Sequence, residues 1–259
     1  MGNGPTGRRF PTVEGTSTTE ADSSERRNVS EATFHQVRDL IVHGKLAPGS
    51  RVVEADFAER LGVSRTPVRA AIHRLQQEGY IRVGSGSGSK LKLTIAPLTQ
   101  EDARELYAIV GHVEGLAARA TAQLEPERRG DVVQALKALN EQLRQQAAAG
   151  RGSPNVIFDL DISFHDKIVD AGAGPRLRAL HSAIKPQTER YWRLYASSIV
   201  DQLDLSVGEH LLIIDGIDRG DGDTSESAMQ TNWRNGADRL ARVIASLGER
   251  GSWWGPGSC

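Results

Sequence analysis

The chain has 259 residues, 38% of them hydrophobic and 25% charged, which is enough for two packed domains. It has no apolar run of membrane-spanning length and no secretory signal core, and its only cysteine is Cys259, so we exclude a membrane-spanning class and an intrachain disulfide and expect a cytoplasmic protein. The net charge of −1 hides an asymmetry, because residues 30–95 carry ten Lys and Arg against six Asp and Glu, which predicts a basic module on a more acidic body.

The first predicted helix follows a polar N-terminal tail. Residues 1–29 show no apolar periodicity, and we expect them to be disordered. Residues 30–43 have an apolar stripe at helical spacing, with Ser30 as the expected N-cap and Gly44 as the stop. A turn at Pro48 and Gly49 and a short extended piece lead to a second helix that starts near Glu54.

The next helix has two chemically distinct faces. It follows a turn at Gly62, Ser64 can cap its start, and Pro67 fits its first turn. The face predicted to be buried holds Val68, Ile72 and Leu75. The opposite, polar face holds Arg65, Thr66, Arg69 and His73. A short helix with an arginine-rich face behind a glycine turn suits the reading of a DNA major groove.

Two predicted strands with a small tip complete this module. Residues 80–83 and 90–95 read as strands, and the segment between them is a Gly-Ser repeat. A tip without bulk, centred on Gly86, can approach a phosphate or the minor groove closely, and Lys90 follows it with a positive charge. A loose loop without contacts is the alternative interpretation.

The segment HGKLAPGSRVVEADFAERLGVSRTPVRAAIHRLQQEGYI closely resembles the winged helix-turn-helix of the GntR superfamily of bacterial transcription regulators. The APGS turn and the LGVSRTPVRAAI string carry the resemblance. The DNA contacts that it implies are Ser64, Arg65, Thr66 and Arg69. Arg65 would suit a guanine, and Arg69 a base or a phosphate. Many relatives have an arginine at the wing tip, whereas this tip is Gly and Ser up to Lys90. The implied partner is a double-stranded DNA operator with two-fold symmetry, bound by a homodimer.

Helical periodicity continues from residue 99 almost to the end. We predict six amphipathic helices with short glycine-containing breaks, at residues 99–123, 126–149, 155–171, 174–199, 203–219 and 223–248. Pro186 should kink or split the fourth of them. The predicted fold is therefore mainly α, with a winged helix-turn-helix domain over residues 30–96, an antiparallel bundle of about six helices over 97–249 and a disordered end over 250–259.

Four polar side chains are expected to face the apolar interior of this bundle. Asp161 and His165 lie one helical turn apart beside an apolar stripe, and His210 and Asn232 come from two other helices. A carboxylate with imidazoles suits a divalent transition metal such as zinc, nickel or manganese. A metal-free hydrogen-bonded cluster around an organic ligand, or simply a satisfied core, are the alternatives.

The bundle also resembles, more loosely, the ligand-sensing FCD domain of the FadR-like branch of this superfamily. The matching motifs are LAAR at 116–119 after Glu114, DISFH at 161–165 and GEHLLIIDGI at 208–217. Many FCD domains hold a metal with an Asp, a His four residues later and two further His, and Asn232 stands in place of the last His. Relatives also carry an inward arginine for a carboxylate where this chain has Val110. Arg190 and Arg193 are therefore the candidates for ligand binding.

These features predict a ligand-responsive, sequence-specific transcription regulator, a repressor, that senses a small organic acid or similar metabolite in the bundle. A bound divalent metal is a possible part of that site. A constitutive DNA-binding regulator with a vestigial pocket is the alternative. A metal-dependent enzyme built on Asp161, His165 and His210 is disfavoured, because no nucleophile or base lies at a mechanistic spacing beside them. No catalytic residues are assigned.

Overall fold

The computed structural model describes residues 17–84, 92–148, 153–199 and 203–251. Within these ranges the chain is mainly helical, with one two-stranded sheet. Its elements in chain order are α1 Ser17–Val42, α2 Glu54–Leu61, α3 Arg65–Gln77, β1 Ile81–Gly84, β2 Lys92–Ile95, α4 Gln100–Ala122, α5 Pro126–Ala148, α6 Pro154–Gly172, α7 Pro175–Ile199, α8 Leu203–Asp218 and α9 Gly222–Leu247. Not one of these helices combines the length and the apolar character that a membrane crossing requires.

The N-terminal domain packs α1, α2 and α3 against the hairpin. The buried face of α3 is the one that its periodicity predicts, since Val68, Ile72 and Leu75 are at most 2% exposed. These side chains share one apolar cluster with α1, α2 and both strands. Strands β1 and β2 are antiparallel, with Ile81 opposite Ile95. Burial of this cluster fixes α3 with its polar face towards solvent.

Helix α1 begins at Ser17, so the expectation of a disordered tail up to residue 29 is wrong for residues 17–29. Ser30 lies inside the helix and is not its N-cap. The buried stripe of α1 starts near Phe34, and a helix formed there extends through polar residues because adding a residue is far easier than nucleation. The Thr33 hydroxyl donates to the Val29 carbonyl oxygen at 2.7 Å, as expected inside a helix.

Helices α4 to α9 form the C-terminal domain, with α4 packed along α9 and also against α6, α7 and α8. Helices α4 and α9 approach each other closely at Gly111, where a Cβ would stand 2.8 Å from the Trp233 Cβ. A second apolar cluster joins α4, α5, α6, α8 and α9 around Leu136 and Phe164. Pro186 does not split α7, which runs as one helix from Pro175 to Ile199.

Some apolar residues that periodicity assigns to the bundle interior are exposed in the single chain. They are Ile109, Leu116, Leu180, Leu211 and Leu247. Ile109 and Leu116 are seven residues apart on α4, so they share one face of that helix.

The two domains meet along α7 and the linker that follows β2. Arg190 of α7 is buried, and its Nη2 donates to the Ala96 carbonyl oxygen at 2.9 Å. The guanidinium of Arg190 also lies 5.8 Å from the centroid of the Tyr80 ring. The Leu98 backbone in turn pairs with that of Arg250 through two hydrogen bonds. The position of the N-terminal domain therefore depends on contacts with α7.

Candidate functional sites: the reading face of α3 and a histidine-lined cavity

The polar face of α3, which we call the reading face, is exposed over its whole length. The turn before α3 places Gly62 in the left-handed region at φ 66°, which a glycine adopts without strain. Ser64 occupies the N-cap position as predicted, but its side chain makes no capping hydrogen bond. The exposed side chains of the reading face are Ser64, Arg65, Thr66, Arg69 and His73. The predicted contact residues Gly86 and Lys90 lie outside the described residues.

Arg69 is held by an acidic neighbour on α2. Its Nε and Nη2 donate to the two carboxylate oxygens of Glu54 at 3.0 to 3.2 Å, which is the paired geometry that arginine favours with a carboxylate. The Glu54 carboxylate raises the pKa of the already cationic Arg69. Arg65 is exposed at the start of α3, and no acidic partner is described for it.

A cavity opens in the C-terminal domain between α4, α6, α7, α8 and α9. The cavity volume is about 70 Å³, and the empty space that also counts the open mouth is about 710 Å³. The aromatic lining consists of Tyr107, Phe158, Trp192 and Trp233. The polar lining consists of Asp161, His165, Lys185, Thr188, Glu189, Ser206, Asn232 and Arg239.

Three of the predicted metal ligands meet at one wall of this cavity. One ligand atom each of Asp161, His165 and His210 lies within 4.8 Å of the other two. His210 is fully buried, its Nδ1 lies 3.2 Å from Asn140 Oδ1, and the Asn140 amide nitrogen donates to Val207. Because an amide oxygen accepts, Nδ1 of His210 carries the proton and its Nε2 carries a lone pair.

Nε2 of His210 is buried and has no hydrogen-bond partner, and it lies 3.6 Å from Asp161 Oδ1. Burial, reinforced by the charges of His165 and Arg239, holds the pKa of His210 well below its usual range, so the ring is neutral. Burial also raises the pKa of Asp161. A lone pair without a donor beside a desolvated carboxyl group is an arrangement that a cation would satisfy, so these residues fit a divalent transition metal.

Glu114 of α4 supports this cluster from behind. The carboxylate is fully buried and accepts hydrogen bonds from His165 Nδ1 at 2.5 Å, His181 Nε2 at 2.8 Å and Trp233 Nε1 at 2.7 Å. Burial opposes ionisation of Glu114, but the neighbouring His165, His181 and Lys185 outweigh it and hold the pKa of Glu114 well below its usual range. Burial opposes a charge on His165, but Glu114 outweighs burial and raises the pKa of this imidazole. Because Nδ1 donates to Glu114, Nε2 is the nitrogen that would lose its proton to bind a metal.

Asn232, the fourth predicted ligand, lines the same cavity but is engaged elsewhere. Its Nδ2 donates to Glu209 Oε2 at 2.9 Å, which leaves only the amide oxygen for the cluster. Glu209 also accepts from Asn235 and Arg239 at 2.8 to 3.0 Å. Asn232 as a metal ligand therefore stays a prediction.

The two arginines predicted to bind the ligand are not part of the cavity lining. Arg190 faces the linker and Tyr80, as described above. Arg193 pairs with Glu189 at 3.9 Å, and its guanidinium lies 4.5 Å from the centroid of the Phe158 ring. The spacing of Arg190 and Arg193, three residues apart on α7, does not show which way their side chains point. From the sequence alone, either side chain could face the cavity or the contact between the two domains. The cavity cations that sequence reasoning missed are Lys185 and Arg239.

Comparison with known proteins agrees with both halves of the fold. The family model "Bacterial regulatory proteins, gntR family" matches residues 29–91, and the FCD domain model matches residues 105–235. A regulator of Paenarthrobacter nicotinovorans, named as a probable transcriptional repressor of a D-xylose utilization operon, is 27% identical over 80% of this chain and 88% of its own length. The repressor RspR of Escherichia coli is 26% identical over 87% of this chain and 95% of its own length.

Solved structures show the same fold at lower identity. McbR/YncC of Escherichia coli superposes with a TM-score of 0.60 at 19% identity, covering 83% of this chain and 97% of its own. A GntR regulator from Rhodococcus superposes with a TM-score of 0.57 at 18% identity, covering 86% of this chain and 99% of its own. The relatives are transcription regulators and not enzymes. The chain belongs to the GntR family of bacterial regulatory proteins, in the branch that carries a C-terminal FCD domain.

Proposed function

We propose that this protein is an effector-responsive repressor, in which a small molecule bound in the cavity changes how the reading face engages an operator. The observation that carries the proposal is the placement of α7. Lys185, Thr188, Glu189 and Trp192 line the cavity at helical spacing. The positions two residues further on, at 187, 190, 191 and 194, lie on the opposite side of the helix.

That opposite side of α7 contacts the DNA-binding domain and the linker. Beside the Arg190 bond to Ala96, the Tyr191 hydroxyl accepts from the Thr99 backbone N–H at 3.1 Å. Gln187 and Leu194 each approach a glycine of the N-terminal domain, at Gly79 and Gly44. A shift of α7 on ligand binding would therefore be transmitted directly to the DNA-binding domain.

The metal belongs to the proposal because the residues fit it. Asp161, His165 and His210 would hold zinc, nickel or manganese, and the ion would supply a Lewis-acidic position for an oxygen of the effector. Glu114 would orient His165, and Asn140 would orient His210, through the hydrogen bonds that they already make.

A homodimer on a two-fold operator completes the model. The exposed Ile109 and Leu116 on one face of α4 supply an apolar surface that a second copy could cover. Each copy would place one reading face in a major groove, with Arg65 towards a base and Arg69 towards a base or a phosphate.

The test begins with selection of an operator from a random duplex library by the full chain. A metabolite library is then screened by thermal unfolding, and operator affinity is measured by fluorescence anisotropy with and without each hit. We expect at least one hit that changes operator affinity fivefold or more, which corresponds to a typical coupling of about 1 kcal/mol. Hits that bind in the cavity but leave operator affinity unchanged would overturn the proposal in favour of a constitutive regulator.

A further inference from the structure

We propose that the effector is a neutral, polyhydroxylated molecule, a small sugar or polyol, and not an organic anion. The inference rests on the proposed function and concerns the chemical class that the cavity accepts. It starts from the cations of the cavity lining, which are Lys185 and Arg239. An anionic effector would need one of these positive charges, or that of a bound metal, as its partner.

The two cations in the cavity lining each have an acidic partner already. Arg239 is 6% exposed, and its Nη1 and Nη2 donate to the two carboxylate oxygens of Glu209 at 2.8 and 3.0 Å. Lys185 is also 6% exposed, and its ammonium donates to the carboxylate of Asp166. An anion that displaced Glu209 or Asp166 would leave a protein carboxylate without its counter-ion in a desolvated site.

The remaining charged groups around the cavity also have partners of opposite charge. Glu189 is paired with Arg193 at 3.9 Å. A divalent cation on the proposed ligands would be balanced by Asp161 directly and by Glu114 through His165. Among the described residues around the cavity, no positive charge is then left over. A carboxylate ligand would make the site net negative, whereas a neutral ligand keeps it balanced.

The uncharged chemistry of the cavity suits hydroxyl groups. The amide oxygen of Asn232, the hydroxyl of Ser206 and the carboxylates of Asp161 and Glu189 can accept from a hydroxyl. Tyr107 also lines the cavity, no hydrogen bond of its hydroxyl is described, and this hydroxyl can donate. A polyol offers a donor and an acceptor at each hydroxyl, so it can match a lining that mixes both.

The aromatic walls supply the second half of sugar recognition. Tyr107 and Trp233 meet edge to face with ring centroids 5.1 Å apart, and Phe158 of α6 and Trp192 of α7 form a second pair with centroids 4.7 Å apart. Flat apolar faces cover the C–H surface of a sugar ring while its hydroxyls reach the polar groups. The cavity is therefore apolar on its aromatic side, polar elsewhere, and neutral.

The experiment compares matched pairs that differ only in the oxidation of one end carbon: sorbitol with gluconate, and xylitol with xylonate. D-glucose and D-xylose are added to the panel. Binding to the zinc-loaded full chain is measured by thermal unfolding and by tryptophan fluorescence, to which Trp192 and Trp233 of the lining contribute. We expect at least one neutral member to bind at least tenfold more tightly than its aldonate, and the difference to grow when zinc is removed.

Two variants sharpen the result. Glu209→Gln removes the counter-ion of Arg239 and should raise gluconate affinity at least tenfold relative to sorbitol. Asp215→Asn on the same helix breaks the exposed pair with Arg219 at 2.9 Å and should change neither. An aldonate that binds as tightly as its neutral partner, or a panel in which no sugar or polyol binds, would overturn the inference. A neutral ligand that binds without changing operator affinity would instead overturn the proposed function.

Discussion

Glu114 and His165 form a buried hydrogen bond of 2.5 Å that joins α4 to α6. The bond fixes which ring nitrogen of His165 is left for the cavity, and the same carboxylate holds His181 and Trp233. Glu114, which lies where α4 packs against α9, thus determines which ring nitrogen of His165 on α6 carries the proton. Several properties of the cavity can be tested through this one group.

Glu114→Gln should weaken zinc binding by about 10- to 100-fold, the usual effect of losing a carboxylate behind a metal-binding histidine. The glutamine side chain keeps the size and one acceptor, but it cannot accept from both histidines and the indole as a charged group does. Zinc affinity is measured by competition with a chromophoric chelator, and folding by circular dichroism.

The control for this change is Glu105→Gln, an exposed carboxylate on the same helix, which should leave zinc affinity unaltered. If a folded Glu114→Gln protein bound zinc as tightly as the unmodified chain, His165 would not depend on this bond, and its place among the ligands would be doubtful.

The sequence predicts the candidate metal ligands of this site better than the residues that hold those ligands in place. Asp161 and His165 are visible because they lie four residues apart, which is one helical turn. Glu114 appears in the sequence only as the start of a motif, since the partners that explain its burial lie on α6, α7 and α9. His181 has no partner at ligand spacing in its own helix, so its bond to Glu114 is equally invisible.

The same limit applies to the charges of the cavity. Arg239 and Glu209 are 30 residues apart, and Lys185 and Asp166 are 19 apart, so their pairing depends on how α6 to α9 pack. Local periodicity predicts that a helix exists and which face is apolar, but not which polar groups meet across helices. By contrast, the turn and the two faces of α3 are local features, and their prediction is confirmed.

Arg65→Ala should weaken binding to the selected operator by about 1–3 kcal/mol and relax the base preference at one position of each half-site. The reason is that Arg65 is exposed at the start of α3 without a described acidic partner. Arg69→Ala, which removes the partner of Glu54, should weaken operator and random DNA alike if it contacts a phosphate, and reduce the salt slope by about 1.

Both variants are measured by anisotropy over a series of salt concentrations, with Arg104→Ala on α4 as an exposed control in the other domain. If Arg65→Ala lost equal affinity for operator and random DNA, Arg65 would be a phosphate contact and not a base contact.

Arg190→Met should uncouple the two domains while leaving each site able to bind. The methionine keeps an apolar stem against Tyr80 but cannot donate to the Ala96 carbonyl oxygen. We expect the coupling free energy between the cavity ligand and the operator to fall by about 0.5–2 kcal/mol. The affinity for the ligand in the absence of DNA should stay nearly unchanged. Titrations of DNA with and without ligand give both quantities.

Arg178→Met provides a matched control on the same helix, because Arg178 is exposed and bonds to Asp170 and Ala173 within the C-terminal domain. A normal ligand response in Arg190→Met would show that the bond to the linker does not carry the coupling, and would direct attention to Tyr191 and the Leu98–Arg250 pairing instead.

Two glycine substitutions should have opposite effects on stability. At Gly111 an added Cβ would stand 2.8 Å from the Trp233 Cβ. Because the Trp233 Cβ is bonded directly to the backbone and cannot rotate away, α4 and α9 must separate. Overpacking of this kind costs about 1–3 kcal/mol. At Gly208 no atom lies within 4 Å of the added Cβ, and the residue sits inside α8, where alanine is favoured over glycine by about 0.5–1 kcal/mol.

Gly111→Ala should therefore lower the free energy of unfolding, and Gly208→Ala should raise it, in urea denaturation followed by circular dichroism. Because Trp233 donates to Glu114 and lines the cavity, Gly111→Ala should also weaken zinc binding, whereas Gly208→Ala should not. A stable Gly111→Ala protein with unchanged zinc affinity would mean that the α4–α9 seam tolerates separation without disturbing the cavity, and that the cavity does not depend on their close contact.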